Sequence, residues 1–160
     1  MAVDMFLKYG DVKGESADDK HKDEIDVLAW SWGARQSGTS HTGAGGGAGK
    51  VEVSNLTVKK YIDRSSPNLF KNCCSGEHVN EATLVVRKAG GKPLEYLKIK
   101  MQDVIITSVQ TGGSASDDRL VEEVAFNFGK VTLEYVPQKA DGSGGGVIPA
   151  GFDIAANKPI

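Results

Sequence analysis

At 160 residues, with 39% apolar and 25% charged side chains, the chain has the size and composition of one compact globular domain. Its formal net charge of -2 brings no clustered excess of Lys and Arg, which argues against nucleic acid or an anionic membrane surface as a partner. Met1 to Met5 lack the basic and long apolar regions of a secretory signal, and no apolar stretch approaches the roughly 18 residues that span a bilayer. The chain is therefore expected to fold in the cytoplasm, without membrane insertion.

From the N-terminus onward, side chains alternate with the period of two that marks strands. Met5 to Tyr9 is the first such segment. The mixed-sign run Asp18 to Glu24 reads as a solvated loop, the competing reading being a rim that contacts a neighbouring subunit. Ile25 to Trp32 follows as one strand. Asp26, Leu28, Trp30 and Trp32 share one face, with the large side chains from Leu28 onward expected in the core. Ile25, Val27, Ala29 and Ser31 share the other, and Ala29 and Ser31 are expected to face something else. An extended Gly-rich loop, 36–50, then separates this strand from Val51 to Lys60, and it is far longer than a hairpin needs.

Ser65, Ser66 and Pro67 supply an N-cap and a proline at or near the first helical position, and Gly76 a stop, so Pro67 to Ser75 reads as a short helix. Leu69, Phe70 and Cys73 are its expected buried face, plugging one open end of the fold. Further strands are Ala82 to Lys88, Leu94 to Met101, Val104 to Gln110, Leu120 to Phe128 and Val131 to Val136, with turns at Gly90-Gly91 and Gly112-Gly113. On Leu120 to Phe128 the apolar face is Leu120, Val124, Phe126 and Phe128, and Glu122 is its polar exception. A Gly-rich linker and C-terminal tail, 142–160, carries Ile148, Phe152 and Ile154 and so has the means to dock. The expectation is a mainly β, single domain over 1–160: an antiparallel β-barrel of about eight or nine strands with one short flanking helix.

No chemical motif survives inspection. The string Gly43 to Lys50 invites comparison with a phosphate-cradling loop, but Ala44 stands at the first glycine position, Val51 replaces the magnesium-binding hydroxyl, and a strand follows where a helix is needed. Cys73 and Cys74 are adjacent, a spacing that strains a mutual disulfide, and two reduced thiols are expected. With His78 they lack the separated pairs of a zinc site, and His21 and His41 fall in loops. Nucleophile, base and orienting acid are scattered without a local signature. No catalytic residue, metal or cofactor is assigned.

Several blocks together resemble the haemolysin-coregulated protein (Hcp) family of type VI secretion: Met1 to Ser16, Asp23 to Gly33, the loop ending Gly49-Lys50-Val51, Lys60 to Leu69, Arg87 to Gly91, Glu95-Tyr96-Leu97 and Tyr135 to Gly142. The match fades after Gly142 and at Cys73-Cys74. The resemblance implies a non-enzymatic homohexameric ring that stacks into a tube inside a contractile sheath. It also implies a trimeric valine-glycine repeat spike at the tip, small effector proteins in the lumen, and secretion without a cleavable signal. On that reading Ser31, with Ala29, faces the lumen, and Gly43, Gly45, Gly46, Gly47, Gly49 and Lys50 lie on a ring-stacking loop. A monomeric β-barrel ligand-binding module, which needs a deep apolar pocket, is the alternative; a secreted hydrolytic effector would need a compact cluster of titratable groups.

Overall fold

The computed structural model describes residues 2–38 and 49–160, so the candidates Gly43, Gly45, Gly46 and Gly47 lie outside the described residues. The chain forms β1 (Val3–Tyr9), β2 (Ile25–Asp26), β3 (Ala29–Ser31), β4 (Ala34–Arg35), β5 (Glu52–Val53), β6 (Leu56–Tyr61), α1 (Ser66–Ser75), β7 (His78–Lys88), β8 (Leu94–Gly112), β9 (Val121–Tyr135), β10 (Ile148–Asp153) and β11 (Lys158–Pro159). All strand pairings are antiparallel.

The pairings run in a circuit. From β2 the hydrogen-bonded path passes through β1, β7, β8, β9 and β6 to β3, and only Val27 and Leu28 separate β3 from β2. The amide of Val27 donates to Met5 O of β1 at 3.0 Å, and the next amide, Leu28, donates to Lys59 O of β6 at 2.7 Å. The single strand expected over Ile25 to Trp32 is thus two short strands meeting at a corner. The bend reverses which face is buried. Ile25 and Val27 are buried, Leu28 is 38% exposed, and beyond the bend Trp30 and Trp32 pack against the core while Ala29 and Ser31 are exposed.

Two expected pairs of strands are single long ones. Leu94 to Met101 and Val104 to Gln110 merge in β8, where Asp103 takes a left-handed φ of 55° without breaking the strand. Leu120 to Phe128 and Val131 to Val136 merge in β9 through Gly129. The tail docks as β10 and β11: β10 pairs with the second half of β9, from Ile148 opposite Tyr135 to Asp153 opposite Lys130. The first half of β9 pairs with β6.

Leu7, Tyr9, Ile25, Leu56, Val58, Leu84, Ile99, Met101, Val124 and Phe126 fill the interior, all within 1% of complete burial. Leu69 anchors α1 to this core. The helix ends at Gly76, whose φ of 68° suits a residue without Cβ. Its expected inner face is corrected in one place. Phe70 is 60% exposed, Cys73 is half-buried, and Asn72, three residues after Leu69, completes the buried stripe.

Candidate functional site

The outer surface of the β3–β6–β9–β8 wall is built by the residues between the core positions. Ala29 stands opposite Lys59, Lys59 opposite Glu123, and Glu123 opposite Gln110; Ser31 stands opposite Thr57, Thr57 opposite Ala125, and Ala125 opposite Ser108. Ala29, Ser31, Lys59, Glu123 and Gln110 are exposed, and Thr57, Ala125 and Ser108 half-buried. One step along the strands, Asn127 donates from Nδ2 to Asn55 Oδ1 at 3.0 Å, and Asn55 donates from Nδ2 to Thr107 Oγ1 at 3.0 Å. Thr107 Oγ1 in turn donates to Ala125 O at 3.2 Å. The row from Ser31 to Ser108 is small-chained, and in the row from Ala29 to Gln110 a cation, Lys59, and an anion, Glu123, stand side by side.

Lys50 and Gly49 are exposed near the base of the hairpin formed by β4 and β5. That base is fastened by Arg35, whose Nε and Nη2 both donate to Glu52 Oε2, at 3.1 and 2.5 Å. Ser54 ties the other end, accepting from Gly33 N and donating to Gly33 O, each at 2.9 Å.

The titratable clusters are occupied with holding the fold. Lys60 Nζ, fully buried, donates to Glu122 Oε1 at 2.5 Å, Asp63 Oδ1 at 3.1 Å and Ser66 Oγ at 3.3 Å. Ser66 Oγ donates to Glu122 Oε1 at 2.6 Å, so its hydroxyl is engaged inside the network and is no free nucleophile. A second cluster corrects the reading of Asp18 to Glu24 as a solvated loop. His21 is buried against the Phe6 ring, its centroid 4.4 Å away, with Nε2 2.6 Å from Glu95 Oε1 and Nδ1 3.1 Å from Glu24. Burial pushes the Glu95 carboxyl up more than any other single influence, but the hydrogen bond and charge of His21 together with those of Lys98 outweigh it and hold the group below its ordinary value. Arg87 reaches the same loop through Asp18, at 2.6 and 3.0 Å, and also binds Asp4 at 3.1 Å. The bond from Arg87 lowers the Asp18 carboxyl to about 2.

No group of three or more His, Cys, Asp or Glu placed to hold a metal occurs among the described residues. Cys73 and Cys74 are both free thiols. A hollow of about 590 Å3 is lined by Lys8, Asp11, Glu77, His78, Glu81 and their neighbours, without the apolar wall that a small-molecule barrel site requires. No helix is long and apolar enough to cross a membrane among the described residues.

The family described as type VI secretion system effector, Hcp, matches residues 6–135, from within β1 to the last residue of β9. The chain belongs to the Hcp family. Protein hcp1 of Pseudomonas aeruginosa is 57% identical over 159 residues, covering 98% of each chain. The crystal structure of Hcp1 from Salmonella typhimurium superposes with a TM-score of 0.83 at 48% identity, with 100% of each chain covered. A second solved structure, of a type six secretion system protein, gives 0.93 at 35% identity, covering 99% of this chain and 100% of the other. The matched segment takes in both the polar wall and the two buried ionic clusters. Sequence reasoning missed the His21 and Arg87 clusters in this Hcp chain. The available signal was Phe6 and Val85, apolar residues on the outward parity of β1 and β7, which need a cover.

Proposed function

We propose that this Hcp chain is the structural subunit of the type VI inner tube. Six copies close a ring, rings stack head to tail, and the lumen receives small effectors. The contractile sheath surrounds the tube and a trimeric valine-glycine repeat spike caps it. The subunit waits in the cytoplasm and leaves by firing, without a cleavable signal. The observation that carries this reading is the wall from Ala29 and Ser31 across to Gln110 and Ser108: a mainly polar outer surface with a row of small side chains, backed by the core. A channel wall needs side chains that neither block passage nor stick to cargo, and these residues meet both needs. Extension of the loop 36–50 toward the adjacent ring is supported by its length and by the fastened hairpin at its base.

The test is the mass and shape of the purified protein, by light scattering and negative-stain imaging. Six-membered rings with open centres are expected, and a compact monomer at every concentration would overturn the reading. Ser31→Trp should leave rings intact and reduce the stability of co-expressed effectors from the same secretion cluster; unchanged levels of all of them would remove Ser31 from the lumen. Deleting Gly43 to Ala48 should leave rings intact and impair stacking.

A further inference from the structure

Two carboxylates hold one buried imidazole, one at each ring nitrogen. His21 Nδ1 lies 3.1 Å from both oxygens of Glu24, and Nε2 lies 2.6 Å from Glu95 Oε1. The ring is 7% exposed and lies nearly parallel to that of Phe6. An ionised carboxylate only accepts, so each contact needs a proton on the ring nitrogen, and a neutral imidazole has a single N–H to give. The imidazolium alone satisfies both partners. The face of Phe6 favours a cation as well.

The charges around the ring leave this role to His21. Arg87 on β7 is engaged with Asp4 of β1 and Asp18 of the loop, and Lys98 on β8 reaches Glu95 Oε2 at 3.4 Å. Asp26 of β2 stands opposite Phe6, adding a further carboxylate. Exposed Lys8 projects from β1, and exposed Asp19, Lys20 and Lys22 with half-buried Asp23 complete the loop. Among the described residues, His21 is the one ion-pair partner of Glu24. The Asp18 carboxyl, lowered chiefly by Arg87, is lowered further by the charge of His21.

The clasped segment runs against its own backbone preference. Asp23 takes a φ of 63°, in the left-handed region that costs a residue with a Cβ, and is held there by bonds from its amide to Ser16 O and to its carbonyl from Gly14 N. Phe6 lies beneath His21, 4% exposed. We propose that His21 is an imidazolium clasp: while both ring nitrogens hold protons the segment 14–24 is fastened over Phe6, and loss of one proton sets a carboxylate against a lone pair and releases it. The hold is complete where the ring is protonated and its carboxylates are ionised, and it is lost as rising pH titrates the ring. The clasp lies within one chain, so its test stands apart from ring assembly.

Nitrogen NMR of the imidazoles of the full chain tests the protonation, the His21 signals being those missing from His21→Gln. Both ring nitrogens should carry protons at about pH 6, and a lone pair on either would overturn the clasp. Amide exchange, corrected for its intrinsic pH dependence, tests the release. Between about pH 6 and about pH 9, protection at Ser16, Asp23 and Glu24 should fall about ten-fold or more, the equivalent of one charged hydrogen bond, while Leu84 and Ile99 in the core keep theirs. Equal protection of the loop at both values would overturn the proposal, and so would an equal fall in the core. In Glu95→Gln, shown to be folded by its melting curve, the side-chain amide can donate to Nε2 of a neutral ring, so the fall should disappear. A fall as large as that of the wild type would assign the loosening to other groups and overturn the clasp. If that variant does not fold, the two measurements on the wild-type chain decide.

Discussion

Lys60 and Glu122 face each other across the β6–β9 register, 2.5 Å apart and with no exposed side-chain surface on either. Glu122 Oε2 has no hydrogen-bond partner among the described residues, so the carboxylate depends on Lys60 and Ser66 through its other oxygen. Replacing one partner leaves an uncompensated buried charge. Lys60→Met is expected to cost about 3–5 kcal/mol in urea denaturation, while Lys60→Met with Glu122→Leu should recover most of the loss.

The loop carrying Asp18 and His21 is held by ion pairs and is expected to loosen in acid. Asp18 titrates at about 2 when folded against an ordinary 3.8, chiefly through its bond from Arg87. A depressed carboxyl stabilises the fold above the ordinary value and ceases to do so as pH falls through the folded one. Melting temperature should therefore drop between pH 4 and pH 2, and Asp18→Asn should flatten that part of the profile.

On α1, adjacent residues carry opposite expectations. Leu69 is fully buried and Phe70 is 60% exposed. Leu69→Ala should destabilise by about 2–5 kcal/mol, and Phe70→Ser should fall within about 0.5 kcal/mol of wild type in the monomer. Chemical denaturation of both variants checks the assignment of the helix face.

Gly14 is fixed by space. A Cβ there would sit 2.5 Å from Glu24 O and 2.7 Å from Ile25 Cα, both backbone atoms that cannot rotate aside. Gly14→Ala should displace the Asp18–Glu24 loop and cost about 1–3 kcal/mol, with faster amide exchange at Asp23, which donates to Ser16 O, and at Ser16, which donates to Glu24 O.

The strand period was legible wherever the alternation was clean, as in Val124, Phe126 and Phe128, and Glu122 was recognisable as an exception whose partner was not. Lys60 lies 62 positions away in the chain, and no local pattern links the two. The corner at Val27 and Leu28 was invisible because apolar residues occupy both parities there, so the tryptophan face was carried back to Leu28 across a bend that spacing does not mark. Asp103 and Gly129 resemble strand ends by residue type, yet the long hairpin of β8 and β9 carries each through in register with its neighbours. Phe70 was misplaced because apolar character stood in for position: the core lies on the Leu69–Asn72 side. Ala29 and Ser31 were placed on an exposed face by their alternation with the two tryptophans, and that local alternation holds beyond the bend.

The corner also governs how the molecule comes apart. A circuit of strands has no loose end from which hydrogen bonds can be stripped one at a time, so strands inside it should exchange their amides together, near the global unfolding limit. The two consecutive amides that hand the chain from Met5 to Lys59 are the exception, because no third strand doubles them. Val27 and Leu28 are the seam at which the wall can open without unravelling.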